Sequence, residues 1–325
     1  MGRYVLRRLG FLSLTLLITS VIVFAITQWL PGDVCRIILG REAGESALEA
    51  CRQDLGLDKP LALRYLGWLG NFLRGDWGQS YSTRTAILPV VAQRLRNSGM
   101  LALVTLMISV PLAVSLGVLA GLNENKLVDS LISVFSLSVV GLPEFVTGLA
   151  LIQVFSFELR ARGLPWLPAN SSIRLESTFG EALPMLVLPA LTATLVLLAY
   201  IARLTRAGVV EELKNPYVRT ADLKGLPRST VIFKHVLRNA LLPTITVIAI
   251  SIGWLVSGLV VVENVFNYPG LGRLLVFAID RRDLPLLQAI TMITVVAYAL
   301  ANLAADLLYA TLNPQIRYEE SSIRG

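Results

Sequence analysis

Long stretches without a charged residue alternate along this chain with short polar connections. Leu9–Gly32, Asn97–Asn123, Ala182–Ala202, Asn239–Val262 and Leu284–Ala305 contain no Asp, Glu, Lys or Arg. Each is close to or above the roughly 20 residues that cross a bilayer as a helix. A sixth run, Leu127–Phe157, is interrupted only by Asp129 near one end and Glu144 in its middle. Lipid offers backbone groups no partner, so apolar runs of this length satisfy themselves as helices. The pattern predicts an all-α polytopic membrane protein with six transmembrane helices and both termini on one side.

Composition points the same way, with 54% hydrophobic and only 16% charged residues, far from a soluble average. The net charge of +7 does not imply nucleic acid, because the basic residues sit in the connections and are not gathered on one soluble domain. Their placement instead orients the chain. Arg3, Arg7 and Arg8 precede the first run. Four crossings later, the connection Arg206–Pro243 carries Arg206, Lys214, Arg219, Lys224, Arg228, Lys234 and Arg238 against Glu211, Glu212 and Asp222. Short Lys/Arg-rich segments stay cytoplasmic, so both signals place the amino terminus and this loop in the cytosol. A secretory signal peptide is the rival reading of the first run. Its apolar part exceeds the roughly 7–15 residues expected and no clear small-x-small site follows, which favours a retained anchor.

The cytoplasmic loop has internal punctuation. Asn215-Pro216 offers a side-chain cap and a proline at the first helical position, Tyr217–Lys224 reads as two turns of helix, and Gly225 supplies a left-handed stop backed by Pro227. A second helix is expected from near Ser229 into the next run. So short a helix is not stable alone in water. It either lies on its own protein or serves as a peg for a cytoplasmic partner.

The segment Tyr217-Val218-Arg219-Thr220-Ala221-Asp222-Leu223-Lys224-Gly225-Leu226, followed by Arg238-Asn239-Ala240-Leu241-Leu242-Pro243, resembles the EAA-type coupling loop of ABC importer permeases in its oligopeptide, dipeptide and nickel form. Ala221 and Gly225 match the general pattern, whereas Arg219 and Thr220 replace its first two residues and Arg238 stands where general members carry the late proline. Further motifs extend the resemblance, in the expected order, over most of the chain. They are Leu55-Gly56-Leu57-Asp58-Lys59-Pro60, the stretch Tyr65–Phe72, Arg74-Gly75-Asp76-Trp77-Gly78-Gln79-Ser80, Tyr268–Arg273 and Asn302–Tyr309. Asn313-Pro314-Gln315 departs from the Asp-Pro-Arg expected near the carboxy terminus.

The resemblance implies a type I ABC importer permease architecture. Its parts are residues 1–30 as cytoplasmic amino terminus and first span, 31–98 as an external segment, 99–312 as the transmembrane core with its coupling loop at 206–238, and 313–325 as a cytoplasmic tail. The implied partners are a second homologous permease subunit, two ATPase subunits, an extracytoplasmic substrate-binding protein and membrane lipid. Asn215, Pro216, Tyr217, Thr220, Ala221, Lys224 and Gly225 would couple to the ATPases. ATP and Mg would be bound by those partners, with no cofactor in this chain.

In the external segment, Leu63, Leu66, Leu69, Phe72 and Leu73 follow helical spacing, and the Gly-Asp-x-Gly run reads as a tight turn. Cys35 and Cys51 are the chain's only cysteines. On an oxidising side they favour a disulfide; two free thiols are the alternative, because sequence does not set their separation. Two such ligands without nearby His do not complete a metal site.

Other chemistry is missing. No GxxxxGK[ST] loop is present to cradle ATP phosphates, and the single histidine, His235, excludes HExxH zinc chemistry. Glu144 is the acidic residue furthest from any run's end, roughly 22 Å from Asp129 along a continuous helix. A carboxylate there requires a polar path or a partner, so Glu144 either lines the translocation path or bonds a neighbouring helix. The resemblance implies a non-catalytic translocation subunit for peptides or related solutes. A secondary transporter or channel should carry more embedded ionisable groups, and an intramembrane enzyme needs a nucleophile and base that the runs lack.

Overall fold

The apolar runs fold as helices; Pro143 marks a break in one of them, whereas Pro111, Pro184 and Pro189 lie inside helices that continue past them. The structure is a computed structural model that describes residues 2–29, 34–40, 42–54, 56–172 and 178–312. The expectations for Pro31, Leu55 and the tail from Asn313 fall outside the described residues. In chain order the helices are α1 (Gly2–Trp29), α2 (Val34–Leu39), α3 (Glu45–Asp54), α4 (Leu61–Leu73), α5 (Ile87–Leu122), α6 (Leu127–Gly141) and α7 (Glu144–Ala161). They continue as α8 (Phe179–Leu213), α9 (Pro216–Leu223), α10 (Arg228–Ala240), α11 (Leu242–Gly258), α12 (Val260–Val265), α13 (Leu271–Asp280) and α14 (Leu284–Leu312).

Among the described residues, four helices are long and apolar enough to cross a membrane unbroken, within α1, α5, α8 and α14. The pairs α6–α7 and α10–α11 bend by 105° and 50°, and counting each pair as one span makes six. The expected continuous helix over Leu127–Phe157 is therefore corrected to two helices. Pro143 lacks an N–H and disfavours helical backbone in the residue before it. Leu142 is accordingly extended at φ −93° and ψ 132°.

The chain divides into two compact units. The first comprises residues 1–98 and 269–299. Here Phe24 of α1 meets Tyr65 and Trp68 of α4, with ring centroids 5.5 and 5.7 Å apart. The packed face of α4 is thus aromatic, whereas Leu63, Leu66 and Leu73 of the expected stripe face outward. Cys35 and Cys51 are joined, with Cα atoms 5.9 Å apart. The Gly-Asp-x-Gly turn forms as expected, with Gly75 and Gly78 at positive φ and Gly78 N–H donating to Asp76 Oδ1. Buried Asp283 then holds the following loop, accepting from Ser80 Oγ at 2.5 Å and from the N–H groups of Tyr81 and Ser82 at 3.2 and 3.0 Å.

The second unit comprises residues 99–268 and 300–325. Its core gathers Leu101, Leu186, Leu198, Ile201, Leu255 and Phe266 among others. Gly117 and Gly121 let α5 approach α8 closely: an added Cβ would lie 2.6 Å from Ala202 O and 2.7 Å from Val209 Cβ respectively. This is the small-residue contact that brings membrane helices together. Helix α8 starts at a capping box between Thr178 and Glu181.

Candidate functional site

Helix α8 runs through Leu213, so the polar connection begins at Lys214 and not at Arg206 as the charge pattern suggested. Arg206 lies on α8 and forms a two-pronged ion pair with Asp129 of α6, at 2.5 and 2.6 Å. Asp129 also accepts from Asn125 N–H at 3.0 Å. The guanidinium fork matches a carboxylate in both shape and charge.

The loop helix α9 opens with Pro216 at its first turn, where a missing N–H costs no hydrogen bond. The expected Asn215 side-chain cap is corrected: Asn215 makes no cap bond, and its Nδ2 donates instead to Glu212 Oε2 at 2.9 Å. Tyr217 reaches the same oxygen at 2.5 Å. Its single hydroxyl proton serves that bond, while Asn239 Nδ2 donates to the phenol oxygen at 3.3 Å. Desolvation, and then the bond to Glu212, raises the Tyr217 phenol above its ordinary pKa.

The inner face of α9 buries Val218 and Ala221 with Val209, Val231, Val236 and Ala240. Thr220 Oγ1 donates back to Pro216 O at 3.0 Å. The helix ends as expected at Gly225, φ +72°, with Gly225 N–H bonded to Asp222 O and Leu226 N–H to Ala221 O. That pair of bonds is a Schellman stop. At Gly208 of α8 an added Cβ would lie 2.4 Å from Ala240 O, so α10 crosses α8 backbone to backbone.

The outer face carries what the sequence reading missed. Leu223 is 80% and Phe233 73% exposed, and Arg219, Lys224, Arg228, Lys234 and Arg238 are exposed around them. Two apolar residues within a polar connection were the available signal. Glu212, the anchor for Asn215 and Tyr217, had none.

Glu144 is not mid-helix: it occupies the first turn of α7, after the break. It lines a cavity of about 730 Å³ with Phe145, Tyr200, Ser251 and Trp254, and its Oε2 is buried without a hydrogen-bond partner.

The described residues thus combine bent membrane-length helices with a glycine-stopped loop helix. The chain belongs to the family of binding-protein-dependent transport system inner membrane components, whose model matches residues 113–318. The amino-terminal model of the same systems matches residues 1–117. It is 38% identical over 319 residues to the glutathione transport system permease protein GsiC of Escherichia coli (strain K12), covering 98% of this chain and 100% of that protein. It is 36% identical over 318 residues to the probable peptide ABC transporter permease protein y4tP of Sinorhizobium fredii, with the same coverage. The crystal structure of an amino acid ABC transporter with histidines shares the fold, with a TM-score of 0.52 at 15% identity over 69% of this chain and 94% of that one.

Proposed function

We propose that this chain forms half of the translocation path of an ATP-driven importer for peptides or related small solutes. A second homologous permease supplies the other half, an extracytoplasmic binding protein delivers solute, and two ATPase subunits bind ATP and Mg. The chain itself is non-catalytic and lies in the inner membrane with both termini cytoplasmic. The observation that carries this reading is α9: its inner face is buried, its ends are held by Glu212 and Gly225, and its exposed Leu223, with Phe233 of α10, lies within a basic rim. A partner that docks differently in two states moves α9, and α8 passes that motion to the spans. Glu144 and its cavity are assigned to the path.

Purified alone, the chain should hydrolyse no ATP, and solute-stimulated hydrolysis should appear only with both ATPase subunits and the second permease present. Hydrolysis by the isolated, contaminant-free chain would overturn the assignment.

A further inference from the structure

We propose that the cavity at Glu144 binds a primary ammonium group of the transported solute, an inference that rests on assigning this cavity to the path. Among its described lining residues Glu144 carries the only charge. A carboxylate oxygen buried without a partner in apolar surroundings is costly until a cation neutralises it. The rings of Phe145, Tyr200 and Trp254 line the same space, and aromatic faces attract cations. Ser251 Oγ spends its proton on Val247 O at 2.8 Å, which leaves its lone pairs to accept from an N–H. An ammonium ion, with three donors and one positive charge, meets each of these groups; a carboxylate or a phosphate meets none. The volume of about 730 Å³ suits a small solute.

The test uses the assembled transporter in phosphatidylglycerol nanodiscs, with phenethylamine and 2-phenylethanol as probes that differ only in the ammonium group. Equilibrium dialysis should show phenethylamine bound about tenfold tighter or more. Glu144→Gln should abolish that preference and Glu144→Asp should retain part of it. Equal affinities in the unmodified protein, or a preference that survives Glu144→Gln, would overturn the proposal. Loss of amine binding when phosphatidylethanolamine is added would assign the site to a lipid headgroup and overturn the solute assignment. Import by the same variants in proteoliposomes separates the two readings. A lost preference with unchanged import keeps the ammonium site and removes it from the path; slowed import without any preference does the reverse.

Discussion

The Tyr217 hydroxyl donates to Glu212 across the turn between α8 and α9, at 2.5 Å. Helix α9 is too short to hold its own orientation, so this bond and the buried Val218 and Ala221 set its angle. Tyr217→Phe removes the bond and keeps the ring. A partly exposed bond of this kind contributes about 1 kcal/mol, so solute-stimulated ATP hydrolysis should fall severalfold while assembly persists. The raised phenol pKa gives the sign of the pH effect: the neutral, bonded form is fully present below about pH 10 and is lost as pH rises through the raised value. Unchanged coupling in Tyr217→Phe would remove this bond from the mechanism.

Gly225 tests the stop of α9. Its φ of +72° costs an ordinary L-residue roughly 1–2 kcal/mol, and no atom lies within 4 Å of an added Cβ, so the penalty is conformational and not steric. Gly225→Val should leave insertion intact and lower both ATPase co-purification and stimulated hydrolysis. Gly225→Asn, which tolerates left-handed backbone, should stay near the unmodified protein. Equal behaviour of the two variants would show that positive φ is not what matters.

The helices and the stop at Gly225 were legible because bilayer length and glycine conformation are local properties. The break at Pro143 was only half legible: a proline cannot continue the hydrogen-bond ladder, but a 105° bend depends on what α7 packs against. The charge of Arg206 reads as the end of a helix, whereas its pairing with Asp129 lets α8 continue. Glu212 and Asp283 act through contacts distant in sequence, or around a turn, that no spacing rule encodes.

Asp283 should hold the loop after the Gly-Asp-x-Gly turn. Asp283→Ala leaves the Tyr81 and Ser82 N–H groups without their acceptor, at about 1–3 kcal/mol for each group left unsatisfied. The variant should melt at lower temperature and be cut more readily by protease between residues 76 and 86. Ser80→Ala, which keeps the carboxylate, should show a smaller loss. Equal melting of all three proteins would refute the anchor.

Cys35 and Cys51 close a loop with a sequence separation of 16, for which chain entropy gives a stabilisation of roughly 3 kcal/mol. Non-reduced peptide mapping of the mature protein should recover the two as one linked species. Reduction should loosen α2 and α3, detected as faster hydrogen exchange there. Two free thiols in the mature protein would reject the pairing.

Leu223 and Phe233 should carry the contact with the ATPase subunits. The two residues are 80% and 73% exposed, so Leu223→Asp and Phe233→Asp should change the chain's own stability by no more than about 0.5 kcal/mol. Burial at a docking centre would make the same changes costly, about 2 kcal/mol or more, and so lower ATPase affinity by at least tenfold. The basic rim argues for an acidic docking surface, so added salt should weaken binding as well. Titrating purified ATPase subunits onto the reconstituted permease pair measures both effects. Affinity unchanged by either substitution would place the contact elsewhere on the loop, with Leu223 and Phe233 left facing solvent.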